Sequence, residues 1–176
     1  MQKKALIVID IQEAFFNGKQ LHPVYNAEQL VNRINTLTEK ARQAGAPVIF
    51  IKHNGPAGQP LEEGTDGNRI FSGLHRMDSE AIVEKRTPSA FYQSGLSELL
   101  TSHSVEKIVV CGVQSEVCVD TTCRTGHFAG YSIELVQDAH STWDRGGLSA
   151  QEIIAHHNSI LPRLFAEGIP AEQVQF

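Results

Sequence analysis

Five short apolar runs in this 176-residue sequence stop at or just before side chains that can do chemistry. Ala5–Ile9 ends at Asp10, Val48–Ile51 at Lys52 and His53, and Ala81–Val83 leads to Lys85. Ile108–Cys111 opens into a segment from Gly112 to Cys118, and Ile133–Val136 is followed by Asp138 and His140. A carboxylate, an ammonium, a thiol and imidazoles in one recurring context suit nucleophilic acyl transfer, in which a thiolate attacks and a carboxylate moves protons. Cys118 is the most informative of them. The stretch Gly112–Val117 leaves just enough chain for a tight turn before a helix, so Cys118 falls in that helix's first turn. There the helix dipole and free N–H groups lower a thiol pKa from about 8.5 into a range of roughly 3.5–7.5. Cys111 reads instead as a small buried hydrophobe, and Cys123 lies past the first turn, where the dipole adds little. Asp10 closes an apolar strand, and its partial desolvation suits it to proton transfer. Lys85 can hold carboxylate and thiolate together. Taken singly, a strand-end Asp also reads as a cap or turn residue, and Lys85 as a solvated loop lysine.

The elements that must position these groups alternate in type. The continuous β-branched runs are those of strands covered on both faces in a parallel sheet. Between the first two, Asn26 and Gln29 are spaced as N-cap and N3 of a helix whose apolar positions run from Leu30 to Ala41 and stop at Gly45. Leu96, Leu99 and Leu100 mark a short helix. Val117–Ala129 reads as another, and Ser149 with Glu152 forms a capping box for a long helix to about Glu167. A sixth, weaker strand falls near Val174. This alternation predicts an α/β fold with a mostly parallel six-stranded sheet and helices on both faces, in which ligands bind beyond the carboxyl ends of the strands. Residues 54–73, rich in Gly, Pro and polar residues, are long enough to read as a binding loop or lid, or as a solvated linker.

Composition excludes several classes. The chain length predicts one domain over residues 1–176. A net charge of -5 with scattered basic residues excludes a nucleic-acid partner. No apolar stretch nears the roughly 18 residues of a membrane span, and no membrane partner is expected. Three cysteines without CxxC spacing suggest neither a disulfide framework nor a zinc site, so a reducing cytoplasm is the expected location.

Four segments in order carry a family resemblance: Val8-Ile9-Asp10-Ile11-Gln12 with Phe15, Lys85 with Ser89-Ala90-Phe91, Gly112-Val113 with Cys118-Val119, and Asp138-Ala139-His140-Ser141. Nearly end to end, the chain resembles the isochorismatase-like cysteine hydrolases, which include nicotinamidases, N-carbamoylsarcosine amidases and streptothricin hydrolases. The resemblance implies a three-layer α/β/α Rossmann-like sandwich and a triad of Asp10, Lys85 and Cys118. It also implies a cis peptide between Val113 and Gln114, an oxyanion hole from the N–H groups of Gln114 and Cys118, and a homodimer or homotetramer. Ser115 and Glu116 stand where the family often has Thr and Asn. Ile51 stands where nicotinamidases carry the Asp of an Asp-x-His metal pattern. Neither nicotinamidase activity nor a metal or other cofactor is therefore expected, although His53 with His75 is the one pair that could ligate an ion. Gln12, Phe15, His53, Phe91, Tyr92 and Trp143 are candidates to line the substrate pocket. The activity expected is thioester-mediated cleavage of a non-peptide C–N bond in a small amide or carbamoyl compound. One alternative is enol ether hydrolysis with Asp10 as general acid. Another, from a different class, is a non-catalytic small-molecule or phospho-receiver module, which would want an acid where Lys85 stands.

Overall fold

The computed structural model describes residues 2–19 and 21–176. Six parallel strands form one sheet: β1 (Lys4–Ile9), β2 (Val48–His53), β3 (Ala81–Lys85), β4 (Lys107–Val113), β5 (Ser132–Ser141) and β6 (Glu167–Ile169). Their spatial order is β3-β2-β1-β4-β5-β6, so β1 and β4 lie at the centre, where both faces are covered. Alternation along β1 divides the core in two. Leu6 and Val8 pack with α1 (Ala27–Gln43), whereas Ala5, Ile7 and Ile9 pack with α2 (Leu96–Ser102), α3 (Asp120–Phe128) and α4 (Ala150–Leu164). The fold is thus the expected three-layer α/β/α sandwich. Because every strand runs the same way, Asp10, His53, Lys85 and Gln114 all arrive at one edge.

Local details differ from the sequence expectation in four places. Asn26 does precede α1, but in a left-handed conformation without a side-chain cap bond, so the Asn26/Gln29 box does not form. The helix expected over Val117–Ala129 starts earlier, as a π-helical turn at Ser115–Val119 that runs into α3. β5 does not stop at Val136. It continues to Ser141 across a bulge, pairing Val110 with Leu135 but Gly112 with His140, and the extra residues bring polar Gln137 and Asp138 into what looked like the strand's end. The sixth strand lies at Glu167–Ile169, ahead of Val174, and α4 ends at Leu164, two residues past Pro162. Gly168 permits that strand to pass closely, since a Cβ there would lie 2.7 Å from Gln137 Nε2. Val174 is buried instead as a core plug beneath α1. The Ser149–Glu152 capping box forms as expected.

Residues 54–73 are organised rather than free. Leu61 is buried in the core, and Asn68 Nδ2 donates to Asn54 Oδ1 and to the carbonyls of His53 and Leu61. Gly112 closes the approach to the edge. It pairs with Ile9 at φ 126°, and a Cβ on it would meet the Ile9 carbonyl oxygen at 2.1 Å, so no other residue fits.

Candidate active site

Lys85 is the hub of the edge. Its Nζ lies 2.8 Å from Asp10 Oδ2, 3.3 Å from Cys118 Sγ, 3.1 Å from the Thr87 carbonyl oxygen and 3.2 Å from His53 Nδ1. Strand register explains the last contact, since His53 and Lys85 are paired residues of β2 and β3. An ammonium only donates, so Nδ1 is the unprotonated nitrogen of His53. Four acceptors surround three N–H groups, and one of the four must be served only part of the time. Asp10, Lys85 and Cys118 are all buried. Asp10 adopts φ 53°, a left-handed conformation that turns the chain sharply out of β1. Its Oδ1 is buried with no partner in the protein.

Burial reverses one expectation. The Cys118 thiol is pushed up to about 12, first by burial and then by the Asp10 carboxylate, with Lys85 opposing. This direction is opposite to the depression expected at a helix N-terminus, and its causes are the loss of solvent and the neighbouring carboxylate. The resting sulfur is therefore a thiol, and it becomes a thiolate only as its proton leaves. His53 is pushed down, by burial first and then by the Lys85 charge. Cys111 and Cys123 are buried and raised further by desolvation. The Val113–Gln114 peptide is cis, and the Gln114 carbonyl accepts from the N–H groups of Val117 and Val119, passing over that of Cys118.

The six pocket candidates separate. His53 joins the cluster. Gln12 does not face a ligand: it is fully buried, its Nε2 donates to the carbonyls of His53 and Asn68, and its Oε1 accepts the N–H of His53. It clamps the end of β2 to the long loop. Phe91 packs against Tyr131, with ring centroids 5.6 Å apart, and over Gly126 in the core below α3. Phe15 is buried in the other core layer and meets Trp143 edge-on at 5.1 Å, while the indole N–H of Trp143 donates to the His22 carbonyl. Tyr92 is exposed and lines a cavity of about 130 Å³ with Asn54, Lys85 and Thr87. His75 is tied to Asn35 and Arg42 on α1 and does not join His53. Among the described residues, no cluster of three or more His, Cys, Asp or Glu side chains is placed to hold a metal ion.

A second network lies under the same turn. Ser115 Oγ sits 2.8 Å from His140 Nδ1, His140 Nε2 sits 2.9 Å from Asn158 Oδ1, and Asn158 Nδ2 donates to the Gln137 carbonyl. His140 was legible as a strand-end imidazole. Its inward direction follows from the β5 bulge, which no local pattern marks.

The isochorismatase domain, as a family, matches residues 4–154 of the chain. The chain belongs to the isochorismatase family. A secreted isochorismatase effector of Verticillium dahliae is 35% identical over 87% of this chain and 80% of its own length. A streptothricin hydrolase of Streptomyces noursei is also 35% identical, over 80% of this chain but only 50% of its own length. The crystal structure of an isochorismatase from Pseudomonas putida superposes with a TM-score of 0.90 at 28% identity, covering 97% of this chain and 89% of that one. Hydrolysis is the coarse activity that membership in the isochorismatase family carries. No helix among the described residues is long and apolar enough to cross a membrane.

Proposed function

We propose that the protein is a cysteine hydrolase that cleaves a non-peptide C–N bond of a small amide or carbamoyl compound through a thioester on Cys118. The observation that carries this reading is the bridging position of Lys85, 2.8 Å from Asp10 and 3.3 Å from Cys118 inside a buried cluster. Asp10 Oδ1, free of other partners, takes the thiol proton. Negative charge moves from Asp10 to sulfur while Lys85 stays in contact with both, so the cluster's total charge is unchanged and no ion is left unpaired. The thiolate attacks the carbonyl carbon. Backbone N–H groups of Gln114 and Cys118 receive the oxyanion, each such donor being worth about 2.7–4 kcal/mol. The tetrahedral species collapses as Asp10 returns its proton to the departing nitrogen. Asp10 then draws a proton from water, which attacks the thioester, and the released carboxylic or carbamic acid leaves a thiol again.

Relatives named streptothricin hydrolase and nicotinamidase support C–N chemistry, the latter from Arabidopsis thaliana at 28% identity. The test is a hydrolysis screen of small amides, carbamoyl compounds and isochorismate, read by mass change, on the native protein and on Cys118→Ala. Turnover of an amide that vanishes in Cys118→Ala supports the thioester route. Turnover of isochorismate that survives the substitution replaces it with proton transfer from Asp10 alone.

A further inference from the structure

An ammonium surrounded by more acceptors than it has N–H groups changes partners when one acceptor changes charge. Around Lys85 Nζ stand Asp10 Oδ2 at 2.8 Å, the Thr87 carbonyl oxygen at 3.1 Å, His53 Nδ1 at 3.2 Å and Cys118 Sγ at 3.3 Å. The Lys85 side chain has no exposed surface, so bulk water does not supply a further partner. A thiol sulfur is a weak acceptor, whereas an imidazole nitrogen and a carbonyl oxygen are ordinary ones. In the resting protein the three N–H groups therefore go to Asp10, Thr87 and His53. A thiolate reverses that order, since a charged acceptor holds an ammonium better than a neutral one.

The imidazole is held where this exchange requires it, and by groups outside the cluster. Gln12 is fully buried and spends both ends of its amide on the backbone of residue 53: Oε1 accepts the His53 N–H at 2.8 Å, and Nε2 donates to the His53 carbonyl at 3.0 Å. Asn68 Nδ2 donates to the same carbonyl at 2.9 Å. Two buried amides thus fix one strand end, and strand pairing sets His53 beside Lys85. The ring is held below the ordinary histidine range by burial first and then by the Lys85 charge, with Asp10 and the Thr87 backbone opposing and Arg86 assisting. Near neutral pH it is uncharged, and its Nδ1 lone pair is open to an N–H donor.

We infer that His53 is a positioning residue of the nucleophile: its Nδ1 keeps the third Lys85 N–H while Cys118 is a thiol and yields it to the sulfur as the Cys118 proton passes to Asp10. The inference rests on Cys118 as nucleophile, and its test separates the two ideas. Removing the competing acceptor should leave that N–H aimed at sulfur and ease ionisation of the thiol. His53→Leu, close to histidine in size, should therefore raise the rate of Cys118 alkylation by iodoacetamide near neutral pH about tenfold, the effect of one pKa unit. His53→Asn opens more space but offers an oxygen to Lys85, and should alkylate at close to the native rate. Peptide mapping separates Cys118 from Cys111 and Cys123. His53→Leu no faster than the native protein, or His53→Asn as fast as His53→Leu, overturns the inference while leaving the nucleophile in place. A measurement on the native protein decides the case where His53→Leu does not fold. Iodoacetate and iodoacetamide each form an S–C bond at Cys118 as iodide and the thiol proton leave, placing a charged or a neutral group beside Lys85. The nitrogen NMR resonance of His53 Nδ1 should move toward that of a free lone pair with the carboxylate and stay in place with the amide, and equal shifts overturn the inference. Failure of Cys118 to react with either reagent overturns the nucleophile and this inference together.

Discussion

On one side of the Ser115–Val119 turn, Cys118 joins Lys85, Asp10 and His53; on the other, Ser115 joins His140 and Asn158. By residue type alone, the second set looks the more familiar, since a serine, a histidine and an amide in a hydrogen-bonded row suggest an acyl-transfer triad. Their satisfaction argues otherwise. Ser115 and His140 are buried, and the row closes on a backbone carbonyl through Asn158, so nothing in it is left to meet a substrate. The first set has a thiol whose proton must be removed, a carboxylate oxygen with no partner, and a lysine with one acceptor too many. Completed networks hold a turn in place, while incomplete ones can change state. Both are needed here, because the turn fixes where the Cys118 sulfur and the neighbouring N–H groups lie.

The largest expected effect breaks the first network. Lys85→Met leaves the Asp10 carboxylate buried and unpaired, which should lower unfolding free energy by about 3–5 kcal/mol. Adding Asp10→Asn, which tolerates the left-handed backbone at φ 53° and carries no charge, should recover part of that loss in urea titrations. Hydrolysis should be absent in both variants. Recovery of activity along with stability would show that the pair serves only the fold. The second network should respond in the opposite sense. Ser115→Ala strips a partner from buried His140 and should cost about 1–3 kcal/mol of stability. Cys118 alkylation should change far less than in Lys85→Met, and an equal loss would erase the distinction between the networks.

Much of the first network was legible because strand ends are marked locally: an apolar run stops, and the next side chain falls at the edge. Asp10, Lys85 and Cys118 could therefore be placed together without knowing any contact. The contact of His53 with Lys85 depends on the register of β2 against β3, which neither segment reveals alone. The raised Cys118 thiol escapes the sequence for a related reason. A helix N-terminus is visible in sequence, but the packing that closes over it comes from distant segments, and it decides the sign of the thiol's shift. Gln12 reads as a pocket residue because it follows Asp10, yet its amide is consumed by the backbone of His53 and Asn68. The β5 bulge that turns His140 inward left no pattern at all.

Acid should separate the networks more gently. His53 and His140 are both pushed below the ordinary histidine value of 6.5, burial being the first cause in each. The unfolded chain therefore binds protons that the folded chain refuses. Stability should hold above about pH 6.5 and be lost as the pH falls from there through the two folded values. His53→Asn can still present an oxygen to Lys85 and should remove part of that acid loss, leaving the part due to His140. Denaturant midpoints near pH 7 and pH 5 check this, and an unchanged acid loss in His53→Asn would mean that the first network does not sense the proton.

The smallest effect concerns how far the second network reaches. Asn158 sits on α4, whose first turn is closed by the Ser149–Glu152 box, with Glu152 N–H donating to Ser149 Oγ and Ser149 N–H to Glu152 Oε2. Ser149→Ala should cost about 1 kcal/mol, the usual worth of an N-cap side chain. Fraying from a lost cap is confined to the first turn, and Asn158 lies about 13 Å farther along the helix at 1.5 Å per residue. The bond from Asn158 to His140 should therefore survive, and with it the placement of Ser115 and Cys118. Unfolding measurements should register the substitution, while the pH dependence of Cys118 alkylation should match that of the native protein. A shift in that profile would mean that α4 moves as one body with the nucleophile turn, and the second network would then transmit displacement rather than simply fix a position.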